Sequence, residues 1–307
     1  MKNGVIAVVG PTASGKSALA LQLAREIGGE IVCMDSMQIY RGMDIGTAKP
    51  TPEERQAVPH HMLDIVSPAD SYDVATYACD ARQVIEEILS RGRVPILTGG
   101  TGLYLRALMY GLQLGTVAAD EAFRAECLRR AETEDGRKEL WQELRAADSV
   151  SAGKFHYNDV KRVMRALEVY RATGRPISDQ RTRQEINSPF SFFLLGMGME
   201  RSLLYQRIDR RVEEMLRQGL TDEVRGLLDS GVTPQAQAMQ GIGYKEMIPY
   251  LAGEATLDET RSLIAQNTRH YAKRQMTWFR SEERIHWLDT SSETLLRDAM
   301  AIVQDWR

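Results

Sequence analysis

A glycine-rich segment near the start of the chain carries the clearest chemical signal. Residues 10–17 match G-x-x-x-x-G-K-[ST], the pattern of a phosphate-binding loop. Glycines in such a loop let backbone N–H groups curl around phosphate oxygens, while Lys16 supplies a positive charge and the Ser17 hydroxyl can hold Mg²⁺. The residues that we expect to contact a diphosphate or triphosphate are Gly10, Thr12, Ala13, Ser14, Gly15, Lys16 and Ser17.

The order of apolar segments predicts how this loop is positioned. Strand-like runs alternate with helical patterns, and this alternation predicts an α/β fold with a parallel sheet flanked by helices. Ligands bind such sheets at the carboxyl ends of the strands. Residues 10–17, 35–36 and 99–102 all lie at those ends, so we expect them to meet at one crevice. The strand-like runs are at residues 5–9, 31–35 and 94–98, and the helical patterns are at residues 18–24, 77–89 and 103–110.

Two residues at these strand ends have side chains that could do chemistry. Asp35 could hold a magnesium ion or act as a base toward an incoming nucleophile. An Asp-Ser pair also suits a simple turn or helix cap. The Thr101 hydroxyl could hydrogen-bond a substrate, although a plain glycine-rich turn explains residues 99–102 equally well.

A pair of arginines forms a third candidate group. Arg207 and Arg211 are four residues apart near the start of a helical pattern at residues 203–229, which we expect Gly219 to interrupt. Two guanidinium groups on one helix face can clamp a diphosphate. The alternative is a solvated basic face.

The middle of the chain has a different character. Between residues 119 and 185 strand signals vanish and charged helical patterns dominate. We therefore predict an all-helical domain inserted into a P-loop-type α/β core, which consists of residues 1–118 and 186–307. The helical patterns of the insertion are at residues 121–133, 137–147 and 159–173. The later elements of the core are a strand at residues 192–197, a helix at 256–279 and a strand at 285–289.

Composition limits the classes of function. The 307-residue chain has a formal net charge of −3, which argues against a general nucleic-acid binder. Residues 151–183 and 261–284 nevertheless carry an excess of Lys and Arg, which is typical of a polyanion-binding surface or of solvated helix faces. The three scattered cysteines favour reduced thiols over a disulfide or zinc framework. We expect no signal peptide and no membrane span, and therefore a cytoplasmic protein.

Longer stretches make the pattern recognisable. The run from Asp35 to Pro50 is highly specific, and shared phosphate-loop ancestry would not produce it. With this run, the chain resembles the tRNA dimethylallyltransferases over essentially its full length. The other matching stretches are residues 10–21, 60–65, 99–104, 159–170, 241–245 and 272–279.

The resemblance implies an enzyme that moves a dimethylallyl group from its diphosphate to N6 of the adenosine just 3′ of a tRNA anticodon. It also implies dependence on Mg²⁺, and we expect a monomer. The catalytic residues would be Asp35, Thr101 and Lys16, with Asp35 accepting the N6 proton, while Arg207 and Arg211 close over the diphosphate. The tRNA-binding residues would be Asp35, Ser36, Met37, Gln38, Thr101, Arg124, Asn158, Asp159, Lys161, Arg162, Gln240, Gly241, Gly243, Tyr244, Lys245, Lys273 and Arg274.

Three other functions share parts of this pattern. A small-molecule kinase would use the same loop for ATP and Asp35 as a base toward a hydroxyl. An adenylate isopentenyltransferase would prenylate free AMP or ATP and would not need the basic insertion. A nucleotide-driven switch would need a second magnesium-binding acid, and we find no clear one. The run from Asp35 to Pro50 and the insertion favour the tRNA enzyme.

Overall fold

The computed structural model describes residues 3–111, 117, 119–181 and 188–306. The chain divides into two compact units, one of Met1–Leu112 with Ser188–Arg307 and the other of Gln113–Asn187. The predicted domain boundaries involve residues 118, 185 and 186, which lie outside the described residues, so these boundaries stay predictions.

The larger unit is built on a six-stranded parallel sheet. Its strands are β1 (Gly4–Val9), β2 (Gly29–Cys33), β3 (His60–His61), β4 (Val94–Gly99), β5 (Ser191–Gly198) and β6 (Ile285–Asp289). Their order across the sheet is β3-β2-β4-β1-β5-β6, which confirms the predicted α/β fold. Because all strands run the same way, the loops after β1, β2 and β4 open at the same edge.

Helices flank this sheet and also make up the smaller unit. The first helices of the larger unit are α1 (Lys16–Ile27), α2 (Pro52–Ala57), α3 (Val74–Ser90) and α4 (Gly102–Tyr110). The smaller unit contains α5 (Glu121–Arg130), α6 (Glu134–Ala147), α7 (Ser149–Ala152), α8 (Val160–Thr173) and α9 (Ile177–Arg181). The larger unit continues with α10 (Arg201–Gln218), α11 (Leu220–Asp229), α12 (Tyr244–Leu251), α13 (Leu257–Arg280) and α14 (Leu295–Trp306). None of the described helices is long and apolar enough to cross a membrane.

The core of the larger unit lies on both sides of its central strand. Every residue from Val5 to Val9 is fully buried, which explains an apolar run without alternation. Leu19 and Leu23 of α1 share one apolar cluster with Ala299 and Val303 of α14. This packing fixes β1 and α1, the two elements that the phosphate-binding loop connects.

Several elements differ from the sequence prediction in detail. The helical pattern at residues 203–229 folds as α10 and α11, because Gly219 between them adopts a left-handed conformation with φ of 102°. The expected interruption is therefore confirmed. Strand β2 ends at Cys33, so Asp35 lies beyond the strand and not at its tip. Sequence patterns missed α2 and β3, since segments of six and two residues carry too little periodicity.

A buried carboxylate ties together two helices of the smaller unit. Glu168 on α8 is only 2% exposed and accepts hydrogen bonds from the Asp120 N–H at 2.9 Å and from Arg124 Nε at 2.8 Å. Arg165 also donates to it. Burial alone would raise the pKa of Glu168, but these hydrogen bonds outweigh burial and hold the pKa below its usual value.

Replacing this carboxylate should destabilise the smaller unit. At pH 7 we expect Glu168→Gln to cost about 1.5–3 kcal/mol, because charge-assisted hydrogen bonds to two partly exposed arginines are lost. The pKa of Glu168 is lower in the folded state than in the unfolded state, so the stabilisation is complete above the unfolded value of 4.5 and is lost as the pH falls through the folded value. Hydrogen exchange of α5 and α8 should therefore differ most between the two proteins at neutral pH and least in acid.

Glu121 provides the control for this prediction. Its side chain is 83% exposed and lies 3.8 Å from Arg124, so Glu121→Gln should leave the exchange rates nearly unchanged. Equal effects of the two substitutions would contradict the role assigned to Glu168.

Candidate active site

The predicted phosphate-binding loop connects β1 to α1. Gly15 has φ of 91° and precedes Lys16, the first residue of α1. Lys16 Nζ donates to the Pro11 carbonyl at 3.3 Å across the loop. The first N–H groups of a helix have no partner within it and carry the positive end of its dipole. The loop is therefore suited to bind an anion.

Three cations line the space in front of this loop. Lys16 and Arg211 line one cavity with Asp35, which we call the first cavity, and Arg207 joins the two cations in lining adjacent space. Burial lowers the pKa of Lys16 to about 8; the charge of Asp35 opposes this shift and the charge of Arg211 adds to it. Burial also lowers the pKa of Arg211, against the effect of Asp35. Positive charge in such a position favours a polyanionic ligand.

The loops after β2 and β4 meet beside these cations. The Asp35 carboxylate accepts the Met37 N–H at 2.9 Å, and the Ser36 N–H donates to Thr101 Oγ1 at 3.2 Å. Asp35 therefore does cap a turn, as its sequence context allowed, and its charge also acts on both half-buried cations. Residues 12, 35 and 99 all line the first cavity, so the three loops converge as expected.

A second cavity shares Thr12, Asp35, Thr47 and Arg211 with the first. Its apolar lining comes largely from α10, α13 and the segment before α12. Tyr271 of α13 also lines it and was not predicted. The predicted tRNA contacts that line this cavity are Asp35, Ser36, Met37, Gln240, Gly241, Tyr244, Lys245 and Arg274.

Other predicted residues of the larger unit make structural contacts. Gln38 lines the first cavity, but its amide donates to the carbonyls of Thr47 and Ala48 and accepts the Cys33 S–H. Gly243 donates its N–H to Glu246 at 2.7 Å. Eight predicted residues of the larger unit are not among those lining either cavity, and these are Gly10, Ala13, Ser14, Gly15, Thr101, Arg207, Gly243 and Lys273. Of these, Ala13, Gly15 and Arg207 line the adjacent space in front of the phosphate-binding loop.

The remaining predicted tRNA contacts lie in the smaller unit, and these are Arg124, Asn158, Asp159, Lys161 and Arg162. Glu168 binds the Arg124 guanidinium, which gives this arginine a structural role. Lys161 and Arg162 are exposed on α8. Contact of these five residues with tRNA stays a prediction.

Glu223 of α11 is a positioning residue that sequence patterns did not reveal. Its carboxylate accepts the N–H groups of Asp44, Ile45 and Gly46 at 2.8, 2.7 and 3.1 Å, and the Tyr244 hydroxyl at 2.6 Å. It thus fixes the specific run from Asp35 to Pro50 against α11 and α12. No local motif could have indicated this role, because the N–H partners lie 177–179 residues away in sequence.

Gln275 of α13 was also missed. It is 5% exposed, accepts the Thr12 N–H at 2.9 Å and donates to the Gly100 carbonyl at 2.9 Å. The Thr12 N–H is therefore bound to protein in this structure, and only the side chain of Thr12 offers a further donor. The sequence did offer one signal for Gln275, which is a polar residue on the helix face that Ala272 and Phe279 form and that is buried.

One candidate protein ligand for a magnesium ion, Ser17, lies at the phosphate-binding loop. The described residues contain no group of three or more His, Cys, Asp or Glu side chains that could hold a metal by themselves. Ser17, however, is exposed and lines the first cavity with Asp35. Mg²⁺ usually keeps several waters and binds through phosphate oxygens with one or two protein ligands, and this donor set fits that mode.

Comparison with known proteins assigns the family. A family model described as IPP transferase matches residues 38–282, and one described as isopentenyl transferase matches residues 3–71. The chain belongs to the IPP transferase family. Its similar relatives include tRNA dimethylallyltransferase 2 of Geotalea uraniireducens, which is 50% identical over 93% of this chain and 92% of the relative. The tRNA dimethylallyltransferase of Carboxydothermus hydrogenoformans is 46% identical over 99% of this chain and 98% of the relative.

Solved structures of IPP transferases have the same fold. The tRNA isopentenylpyrophosphate transferase of Bacillus halodurans is 41% identical with a TM-score of 0.75, and the alignment covers 99% of this chain and 96% of that one. A eukaryotic dimethylallyltransferase, captured acting on tRNA, is 31% identical with a TM-score of 0.82, covering 99% of this chain and 79% of that one. The family predicted from the sequence motifs is thereby confirmed.

The position of Arg211 leads to a binding prediction. Arg211→Ala should weaken the binding of inorganic diphosphate roughly 10- to 100-fold, because a charge-assisted hydrogen bond contributes about 1.5–3 kcal/mol. Isothermal titration calorimetry in the presence of Mg²⁺ measures this change. Arg210→Ala is the matched control, since Arg210 is the exposed neighbour on the same helix. Equal affinities of the two variants would contradict the assigned anion site.

Proposed function

We propose that this chain transfers the dimethylallyl group of dimethylallyl diphosphate to N6 of the adenosine just 3′ of a tRNA anticodon and releases diphosphate. The named relatives are tRNA dimethylallyltransferases over nearly the full length of the chain. The observation that carries the proposal is that Lys16 of the phosphate-binding loop and Arg211 of α10 share one cavity with Asp35. A diphosphate bound by these cations would lie close to the Asp35 carboxylate, which can accept a proton.

The donor diphosphate would bind along residues 12–17, with Lys16, Arg207 and Arg211 around it. Negative charge grows on the diphosphate as the allylic C–O bond breaks. Cations fixed at this position therefore stabilise the transition state more than the bound substrate. Because they are already half-buried, they need little solvent reorganisation when the charge develops.

We also propose Mg²⁺ as the cofactor. The Ser17 hydroxyl would hold it together with oxygens of the donor diphosphate, as the donor set described above allows. When bound, the ion would neutralise part of the charge on the leaving group.

The acceptor adenosine would enter the second cavity, with N6 facing Asp35. It must leave its base stack to do so. Its exocyclic amine is a weak nucleophile because the lone pair is delocalised into the purine ring. Asp35 would accept the N6 proton as the N–C bond forms, and Ser36, Met37 and Thr101 would hold the base.

The anticodon arm would bind to basic side chains beside the base. Arg274 and Lys245 line the second cavity, and Lys273 is an exposed neighbour on α13. On the smaller unit, Lys161 and Arg162 would contact phosphates. We also propose that the protein acts as a monomer, in a cytoplasmic location where tRNA is available.

Label transfer tests this function directly. Labelled dimethylallyl diphosphate is incubated with the protein, Mg²⁺ and either unmodified tRNA, AMP or ATP. We expect label in tRNA alone, and no phosphoryl transfer from ATP. Label in AMP or ATP would instead identify an adenylate isopentenyltransferase, and phosphoryl transfer to a small molecule would identify a kinase. The relatives favour neither alternative.

Asp35→Asn tests whether Asp35 acts as a base or as a metal ligand. If Asp35 is the base, the single-turnover rate should fall by about 10²–10⁴, since general-base assistance has this magnitude, while both substrates bind nearly as before. If Asp35 chiefly held the ion, excess Mg²⁺ would restore the rate. The measurement is the single-turnover rate at low and saturating Mg²⁺, with Asp222→Asn, an 81% exposed acid, as the control.

A further inference from the structure

We propose that Gln275 is a positioning residue that sets the distance between the donor and acceptor sites. Both the oxygen and the nitrogen of its carboxamide form hydrogen bonds. The oxygen accepts from Thr12 in the phosphate-binding loop, and the nitrogen donates to Gly100 in the loop after β4, each at 2.9 Å. The donor would be held by the first loop, and the second loop carries Thr101, which hydrogen-bonds Tyr271 in the lining of the proposed acceptor cavity. This inference rests on the proposed function.

The contact is tight enough to define a distance. A Cβ atom added to Gly100 would lie 1.9 Å from Gln275 Nε2, so only glycine allows the backbone to approach the amide this closely. Gln275 is also buried, so water cannot easily replace either hydrogen bond. A buried amide with both partners satisfied holds its rotamer, because any other rotamer leaves polar groups unpaired.

Neighbouring residues on α13 hold the same loop. Tyr271, four residues before Gln275, hydrogen-bonds both Thr101 and Gln275, and a Cβ atom added to Gly102 would lie 2.3 Å from the Trp278 ring. Residues spaced three and four apart share a helix face. One face of α13 therefore contacts residues 100, 101 and 102. Of these three side chains, Gln275 also hydrogen-bonds the phosphate-binding loop.

This geometry has a consequence for the reaction. N6 must approach the allylic carbon of a donor whose diphosphate is fixed by the other loop. A displacement of about 1 Å between reacting groups can cost about 100-fold in rate. Loss of the amide should thus affect the chemical step, while each loop still binds its own substrate.

Gln275→Met tests this consequence, because methionine is close to glutamine in size and offers neither hydrogen bond. With both substrates saturating, the single-turnover rate should fall about 100-fold, while the dissociation constants of diphosphate and tRNA change by less than about threefold. Gln266→Met is the matched control, since Gln266 is an exposed residue on the same helix. An equal loss in both variants, or a loss confined to melting temperature and active fraction, would overturn the proposal.

Gln275→Glu supplies a second, pH-dependent signature. An ionised carboxylate can accept from Thr12 but cannot donate to Gly100, whereas a protonated carboxyl can do both. Burial raises the pKa of such a carboxyl. The single-turnover rate of Gln275→Glu, divided by that of the unchanged protein, should therefore increase about tenfold as the pH is lowered from 8 to 6. Gln266→Glu should show a constant ratio, and a constant ratio for Gln275→Glu would overturn the proposal.

Hydrogen exchange separates this inference from the proposed function. The Thr12 amide should exchange faster in Gln275→Met and at an unchanged rate in Gln266→Met, because the first variant loses the hydrogen bond that this amide donates to Gln275. This result does not depend on any activity. Absence of dimethylallyl transfer by the unchanged protein would defeat the proposed function alone, and an unchanged Thr12 exchange rate would defeat the positioning role alone.

Discussion

The candidate site depends on the partial burial of two cations, Lys16 and Arg211. Burial lowers the pKa of both Lys16 and Arg211, and Asp35 is the acid that opposes this in each case. Backbone carbonyls of Pro11 and Thr47 accept hydrogen bonds from their side chains. These partners hold both cations in place in their charged form. A polyanionic ligand would offset the free-energy cost of their desolvation.

Rigid neighbours make this arrangement possible. The run from Asp35 to Pro50 is held by the Glu223 carboxylate and by Lys49, whose 1% exposed side chain bonds the Tyr40 carbonyl and Asp64. The phosphate-binding loop is held by Gln275. Part of the run from Asp35 to Pro50 therefore serves to fix loops, while other residues of it line the two cavities.

The sequence alone predicted those features of the fold and the site that depend on the local spacing of residues. The phosphate-binding loop, the parallel sheet and the convergence of Asp35 with this loop follow from strand and helix periodicity and from the rule that loops at one sheet edge converge. Glu223 and Gln275 could not be found in this way, because their partners are far away along the chain. Charge patterning also could not tell that Arg124 is bound by a buried Glu168, nor that the Tyr244 hydroxyl is bound by Glu223.

The thiol of Cys33 has a consequence for chemical selectivity. Cys33 lines the first cavity, where an allylic electrophile would form, and a cysteine there is a potential competing nucleophile. Burial, with the charge of Asp35, raises the pKa of this thiol well above its ordinary value, and its S–H donates to Gln38 at 3.1 Å. Because the thiolate is the reactive form, the raised pKa protects this cysteine against alkylation by the donor. A change that released a thiolate at this position would turn the substrate into a suicide inhibitor.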